Sequence, residues 1–129
     1  MITTEDVLTS SGKHPERMAW VSPAVENHAE LLAVRINALL LLFGETRKLS
    51  SGFRDMLSNK ALPNASPFSR HITGEAADIE DAQGTLGKWA LAHPDALAQC
   101  GLWCEPLHLT PTWLHVQLVP VPGGARVAP

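Results

Sequence analysis

The stretch Trp113-Leu114-His115-Val116-Gln117-Leu118-Val119 sets Trp113, His115 and Gln117 in alternation with Leu114, Val116 and Leu118. A period of two marks a strand with an aliphatic face on a core and a second face half wetted. Working back along the chain, Leu102-Trp103-Cys104-Glu105 and Ala76-Ala77-Asp78-Ile79-Glu80 read as two more short strands. Lys48 to Arg54 reads as a short strand entering a turn, and residues 59–68, with Pro63, Asn64, Ser66 and Pro67, as a loop. Between the strands, Thr85 is expected to cap a helix running to about Ala92, and Pro94 to open another that Gly101 closes.

Helices come first. Thr3 or Thr4 caps a short one, with Glu5 and Asp6 in the turn where acidic groups meet the positive end of the helix dipole. Ser11 to Pro15 is a break, after which Ser22-Pro23 starts the strongest helix of the chain. Leu31, Leu32, Val34 or Arg35, Ile36, Leu39, Leu40 and Phe43 recur at helical spacing until Gly44 stops it. Its Leu-rich second half is expected to lie buried under a sheet rather than to form a groove for a partner helix. Helices followed by strands with helices between them predict an α+β fold, N-terminal helices packed on a small, mainly antiparallel sheet. One domain over 1–119 is expected, with a loose tail over 120–129.

The 129 residues suffice for one core, and 45% apolar with 18% charged residues argue against disorder. A net charge of -3, without a Lys/Arg run, gives no reason to expect nucleic acid. The opening Met1 to Asp6 lacks the charged and apolar regions of a secretory signal, so a cytoplasmic starting location is expected. The run Leu39 to Phe43 is too short to span a bilayer, so no membrane insertion is expected. Cys100 and Cys104 read as two reduced, partly buried thiols, although their spacing also fits a soft metal pair.

The chemistry concentrates in Ser69-Arg70-His71-Ile72-Thr73-Gly74-Glu75-Ala76-Ala77-Asp78-Ile79 and, far downstream, His115. Two imidazoles and a carboxylate are donors that zinc accepts, and a catalytic zinc takes three protein ligands and keeps one position open. Their spacing is neither that of a zinc finger nor the one-helix H-E-x-x-H pattern, so the ligands must converge from separate elements. A carboxylate set among Ala76, Ala77 and Ile79 needs a partner to offset its desolvation, and a metal would be one. Each residue also has a plainer reading: His115 as a polar side chain on a half-wet sheet, His71 as a loop residue.

The run Ser50-Ser51-Gly52-Phe53-Arg54, then Ser69-x-His71-x-x-Gly74-x-Ala76-x-Asp78-Ile79, then Trp113-Leu114-His115-Val116, resembles the D-Ala-D-Ala carboxypeptidase-like zinc peptidases. That group includes VanX-type dipeptidases and phage L-alanyl-D-glutamate endolysins. The resemblance spans roughly residues 3 to 119. It implies that His71, Asp78 and His115 bind zinc, with Gly74 allowing the tight path between the first two. It implies hydrolysis of peptidoglycan stem peptides at a bond involving a D-amino acid, by a monomeric, endolysin-type enzyme released to the wall by a holin.

Arg54 would bind a substrate carboxylate or steady the oxyanion, its planar fork suiting a carboxylate, unless it only forms a surface salt bridge. Ser69 would orient the ligand loop or touch substrate, His108 would bind substrate or donate to the oxyanion, and Trp103 and Trp113 would wall the pocket. Many members carry an acidic residue three positions before the last His, where this chain has Thr112. Glu105 is the expected substitute as general base. Glu75 is a candidate to support the ligands, while Glu80 and Asp81 are expected to be solvated. A non-catalytic phage structural or wall-binding module that keeps the fold is the rival reading.

Overall fold

A computed structural model of the chain describes residues 1–12, 18–55 and 69–121. The expected loop at 59–68 and most of the expected tail lie outside those residues, as does much of the break after Ser11. The fold is α+β, as its sequence pattern predicts. Helix α1 (Thr4–Thr9) begins with a reciprocal cap. Thr3 Oγ1 accepts from the Asp6 N–H at 3.0 Å, and the Asp6 carboxylate accepts from the Thr3 N–H at 2.9 Å.

Helix α2 (Pro23–Phe43) is the spine of the domain. Ser22 Oγ accepts from the Val25 N–H at 3.1 Å, Pro23 occupies the first turn, and Gly44 closes the helix at φ 90°. Val25, Ala29, Leu32, Ala33, Ile36, Leu39 and Leu40 form its buried face. Full burial of residues such as Leu32, Ile36 and Leu39 stabilises the fold by about 1.5–3 kcal/mol each. The opposite face departs from expectation. Leu31, Val34, Leu41 and Leu42 are exposed, Leu41 at 82%, so only one side of the Leu-rich half is buried. Apolar residues crowd both sides of the helix there, and spacing alone does not say which side meets the core.

Strands β1 (Leu49–Ser51), β2 (Ala76–Glu80), β3 (Trp103–Cys104) and β4 (Trp113–Gln117) form one antiparallel sheet in the order β1-β2-β4-β3. The central pair sets the register: Ala77 faces Val116 and Ile79 faces Leu114, all four buried against the helices. On the other face Ala76 lies opposite Gln117, Asp78 opposite His115, and Glu80 opposite Trp113. Alternation therefore sends a carboxylate and an imidazole from neighbouring strands to the same side of the sheet, at directly opposed positions.

Helices α3 (Thr85–Ala92) and α4 (Pro94–Cys100) connect β2 to β3. Gly84, not Thr85, is the N-cap of α3, and the capping side chain is Asp81. Its carboxylate oxygens accept from the Leu86 N–H at 3.0 Å and the Gly87 N–H at 2.8 Å. Asp81 is buried rather than solvated, since two helix-end amides replace its water. Strand β4 stops two residues earlier than its alternation suggests, although the Leu118 N–H still reaches across in register to the Glu75 carbonyl at 3.0 Å. Strand β3 is likewise shorter, and Pro106 follows Glu105 with no N–H to extend the ladder.

Candidate metal centre

His71, Asp78 and His115 come together at the open face of the sheet. One ligand atom from each lies within 4.8 Å of the others, so among the described residues this group could hold a metal ion. Asp78 Oδ1 is 2.9 Å from His115 Nδ1 and 3.5 Å from His71 Nε2. The imidazole rings meet edge to face with centroids 5.2 Å apart. His71 and His115 are buried, and the Asp78 side chain is 15% exposed.

The far side of each ring fixes its chemistry. His71 Nδ1 lies 2.7 Å from the Gly52 carbonyl oxygen, which can only accept, so Nδ1 carries the hydrogen. The neutral ring then turns the lone pair of Nε2 toward Asp78. His115 Nε2 lies 2.8 Å from Gln117 Oε1. The Gln117 amide nitrogen donates to the carbonyls of Val119 at 3.1 Å and Pro120 at 3.2 Å, which leaves its oxygen facing the ring. His115 Nε2 therefore donates, and the neutral ring aims the Nδ1 lone pair at Asp78. Two lone pairs and a carboxylate pointing at one another repel unless a cation lies among them. A metal ion meets that need, and outer hydrogen bonds of this kind are what metal-ligating histidines make.

A proton meets the same need in the metal-free protein. Burial opposes charge on Asp78, yet the interactions with the His115 and His71 rings outweigh it and hold the carboxyl well below the usual range. Burial likewise works against charge on His115, but the hydrogen bond and charge of Asp78, aided by Gln117 and Glu105, raise its pKa. At a pH below the raised value of His115, the metal-free cluster is an ion pair in which His115 donates from both ring nitrogens.

Local structure holds the three side chains in place. Gly74, at φ 76°, turns the chain between His71 and β2, and a Cβ there would come within 2.8 Å of the Val25 carbonyl oxygen. The loop is braced by Thr73 Oγ1 donating to Glu75 at 2.6 Å and by the Arg70–Glu75 pair at 3.4 Å. Glu75 therefore supports the loop rather than a ligand ring. Gly52, whose carbonyl orients His71, is itself clamped: its N–H donates to Ser11 Oγ at 2.8 Å, and the Phe53 N–H donates to the Val7 carbonyl at 2.7 Å. Helix α1 and the residues after it thus reach the site through one backbone carbonyl.

Arg54 joins the same loop. Its N–H donates to the His71 carbonyl at 3.1 Å, and Nη2 donates to Ser69 Oγ at 3.2 Å, which also accepts from the His71 N–H at 3.3 Å. Glu105 Oε1 lies 3.5 Å from His115 Nε2, the ring nitrogen turned away from Asp78. Its side chain is 33% exposed, so the carboxylate stands at the edge of the site in contact with water. Trp103 and Trp113 are half-buried and pair in register with Gln117 and Glu80.

His108 sits exposed on the turn Leu107–Leu109. It lines a groove of about 370 Å³ with Asp81, Gly87, Lys88 and Thr110, a boundary that includes none of the three clustered residues. Thr112 is exposed, and its carbonyl accepts from the Asp81 N–H at 3.1 Å. Cys100 and Cys104 are buried thiols outside any disulfide, and neither belongs to the group that could hold a metal ion. Two supporting residues were not assigned a role from the sequence. Gln117 carries a signal, as the polar residue two places beyond His115 on the same strand face; the Gly52 carbonyl, a backbone atom, carries none. The chain matches no family model, no curated protein and no solved structure.

Proposed function

We propose that this chain is a zinc-dependent peptidase that hydrolyses peptidoglycan stem peptides at a bond involving a D-amino acid. It would serve as a phage or prophage endolysin-type enzyme, made in the cytoplasm and released to the wall by a holin. The observation that carries this reading is the convergence of the His71 and His115 lone pairs on Asp78, from the very motifs that resemble the zinc peptidases. Two nitrogens and one carboxylate oxygen suit zinc, and three protein ligands match the catalytic rather than the structural type of site.

Bound there, zinc would supply Lewis acidity toward a peptide carbonyl and lower the pKa of water. The remaining work falls to the chain. Arg54, tied to Ser69 beside the ligand loop, offers a guanidinium to a substrate carboxylate. Glu105, beside His115 yet in contact with solvent, would be the carboxylate that takes up and returns a proton. Trp103 and Trp113, near the ligands on the sheet, offer apolar walls to the peptide.

Two features favour the rival, a non-catalytic structural or wall-binding module. Thr112 brings no carboxylate, and Glu105 approaches His115 on its outer nitrogen. Digestion of purified peptidoglycan separates the two, with new amine and carboxylate termini counted and the muropeptides weighed by mass spectrometry. The peptidase reading expects new termini from the wild type, and little from Glu105→Gln or His115→Ala. A wild-type protein that binds zinc but releases no termini would establish the rival instead.

A further inference from the structure

We infer that Gln117 is a positioning residue of the metal centre: it fixes His115 with Nε2 protonated and Nδ1 free to ligate, and it frees Glu105 from that task. The inference rests on the metal reading of the cluster. Three hydrogen bonds carry it. Gln117 is buried, and both of its amide hydrogens are committed to the carbonyls of Val119 and Pro120. A flipped amide would set its oxygen against those two carbonyl oxygens and its NH2 against the ring, so only one orientation satisfies every partner. That orientation places an acceptor 2.8 Å from His115 Nε2.

Glu105 is the competing acceptor, at 3.5 Å from the same nitrogen. In many metal sites a carboxylate holds the outer N–H of a ligating histidine. Here the shorter contact belongs to the neutral amide. The backbone explains how Gln117 reaches its post. It lies two residues beyond His115 on the same face of β4, and the strand ends there, so the carbonyls of Val119 and Pro120 fold back within reach of its side chain. With the N–H held by Gln117, the Glu105 carboxylate keeps its lone pairs for water or substrate.

The test compares Gln117→Met, which keeps the length but removes the acceptor, with Gln117→Glu, which keeps an acceptor but loses both donors. Zinc affinity is measured by competition with a chromophoric chelator, and the melting temperature is taken on the metal-free proteins. Gln117→Met is expected to bind zinc about 10–100-fold more weakly than wild type, and Gln117→Glu to stay within a few-fold. Melting should follow the other order, with Gln117→Glu the less stable because a carboxylate then faces two carbonyl oxygens. A residue that merely packs would move affinity and melting together. Affinities that track the melting order, or a Gln117→Met protein that binds zinc as wild type does, would overturn the inference. Failure of the wild type itself to bind zinc would instead remove the metal reading, and this inference with it.

Discussion

Replacing Gly52 by Ala tests whether the N-terminal helix truly supports the metal site. A Cβ on Gly52 would overlap the Val7 carbonyl oxygen and lie 2.8 Å from Ser10 Oγ and 2.9 Å from the Val7 carbonyl carbon. Two of those atoms are backbone, so the strand or α1 must move. Overpacking of this kind costs about 1–3 kcal/mol, and weakening the bond from the Phe53 N–H to Val7 adds about 0.5–1.5 kcal/mol. A total of about 2–4 kcal/mol lowers the melting temperature by about 6–16 °C for a domain of this size. The displaced Gly52 carbonyl also loosens His71, so zinc affinity should fall by about tenfold or more. Gly44→Ala is the control: its Cβ meets nothing within 4 Å, so it bears only the strain of a left-handed residue, about 1–2 kcal/mol, with zinc affinity unchanged. Thermal melts of the metal-free proteins and chelator competition read both effects. A Gly52→Ala protein that melts and binds zinc like wild type would refute the clamp through Val7 and Gly52.

The ion pair makes the metal-free protein sensitive to pH in a defined direction. The pKa of His115 is raised above 6.5, so its contribution is complete below pH 6.5 and lost as pH rises through the folded value. The pKa of Asp78 is depressed below 3.8, so its contribution holds above pH 3.8 and fails only in stronger acid. Denaturant titrations should therefore show the cluster's greatest stabilisation between those two values. Zinc affinity should instead increase with pH as His115 gives up its proton, with proton release on binding seen by calorimetry in buffers of different ionisation enthalpy. Asp81→Ala should destabilise the fold by about 2–3 kcal/mol in urea unfolding, because the amides of Leu86 and Gly87 lose a charged acceptor. Glu105→Gln should cut peptide hydrolysis by about 100-fold or more while leaving zinc affinity within a few-fold, since Gln117 holds the His115 N–H.

Period and punctuation made much of this fold legible. Ser22-Pro23 and Gly44 bound α2 as expected, and the alternation in β4 set His115 on the face opposite its aliphatic residues, whereas only the register of β2 on β4 brings Asp78 to that same side. The motif residues named the three side chains that come together, but their meeting depends on a pairing that sequence order does not encode. Three other features escaped the pattern for physical reasons. Asp81 looks like any acidic turn residue until the amides of α3 arrive to bury it. Leu31 and Leu41 carry core hydrophobicity on a face that no element of the described chain covers. His115 and Gln117 looked half-wet in a strand read alone, whereas His71 and the chain after β4 close over them.

Metal content tests the His71, Asp78 and His115 cluster most directly. Equilibrium dialysis of the purified chain against zinc, followed by elemental analysis, should find one tightly held ion per chain in the wild type. It should find none in His71→Ala, Asp78→Ala or His115→Ala proteins shown by circular dichroism to remain folded. A wild-type chain that returns from dialysis without metal, or a His115→Ala chain that still carries one, would contradict the assignment of this cluster as the metal centre.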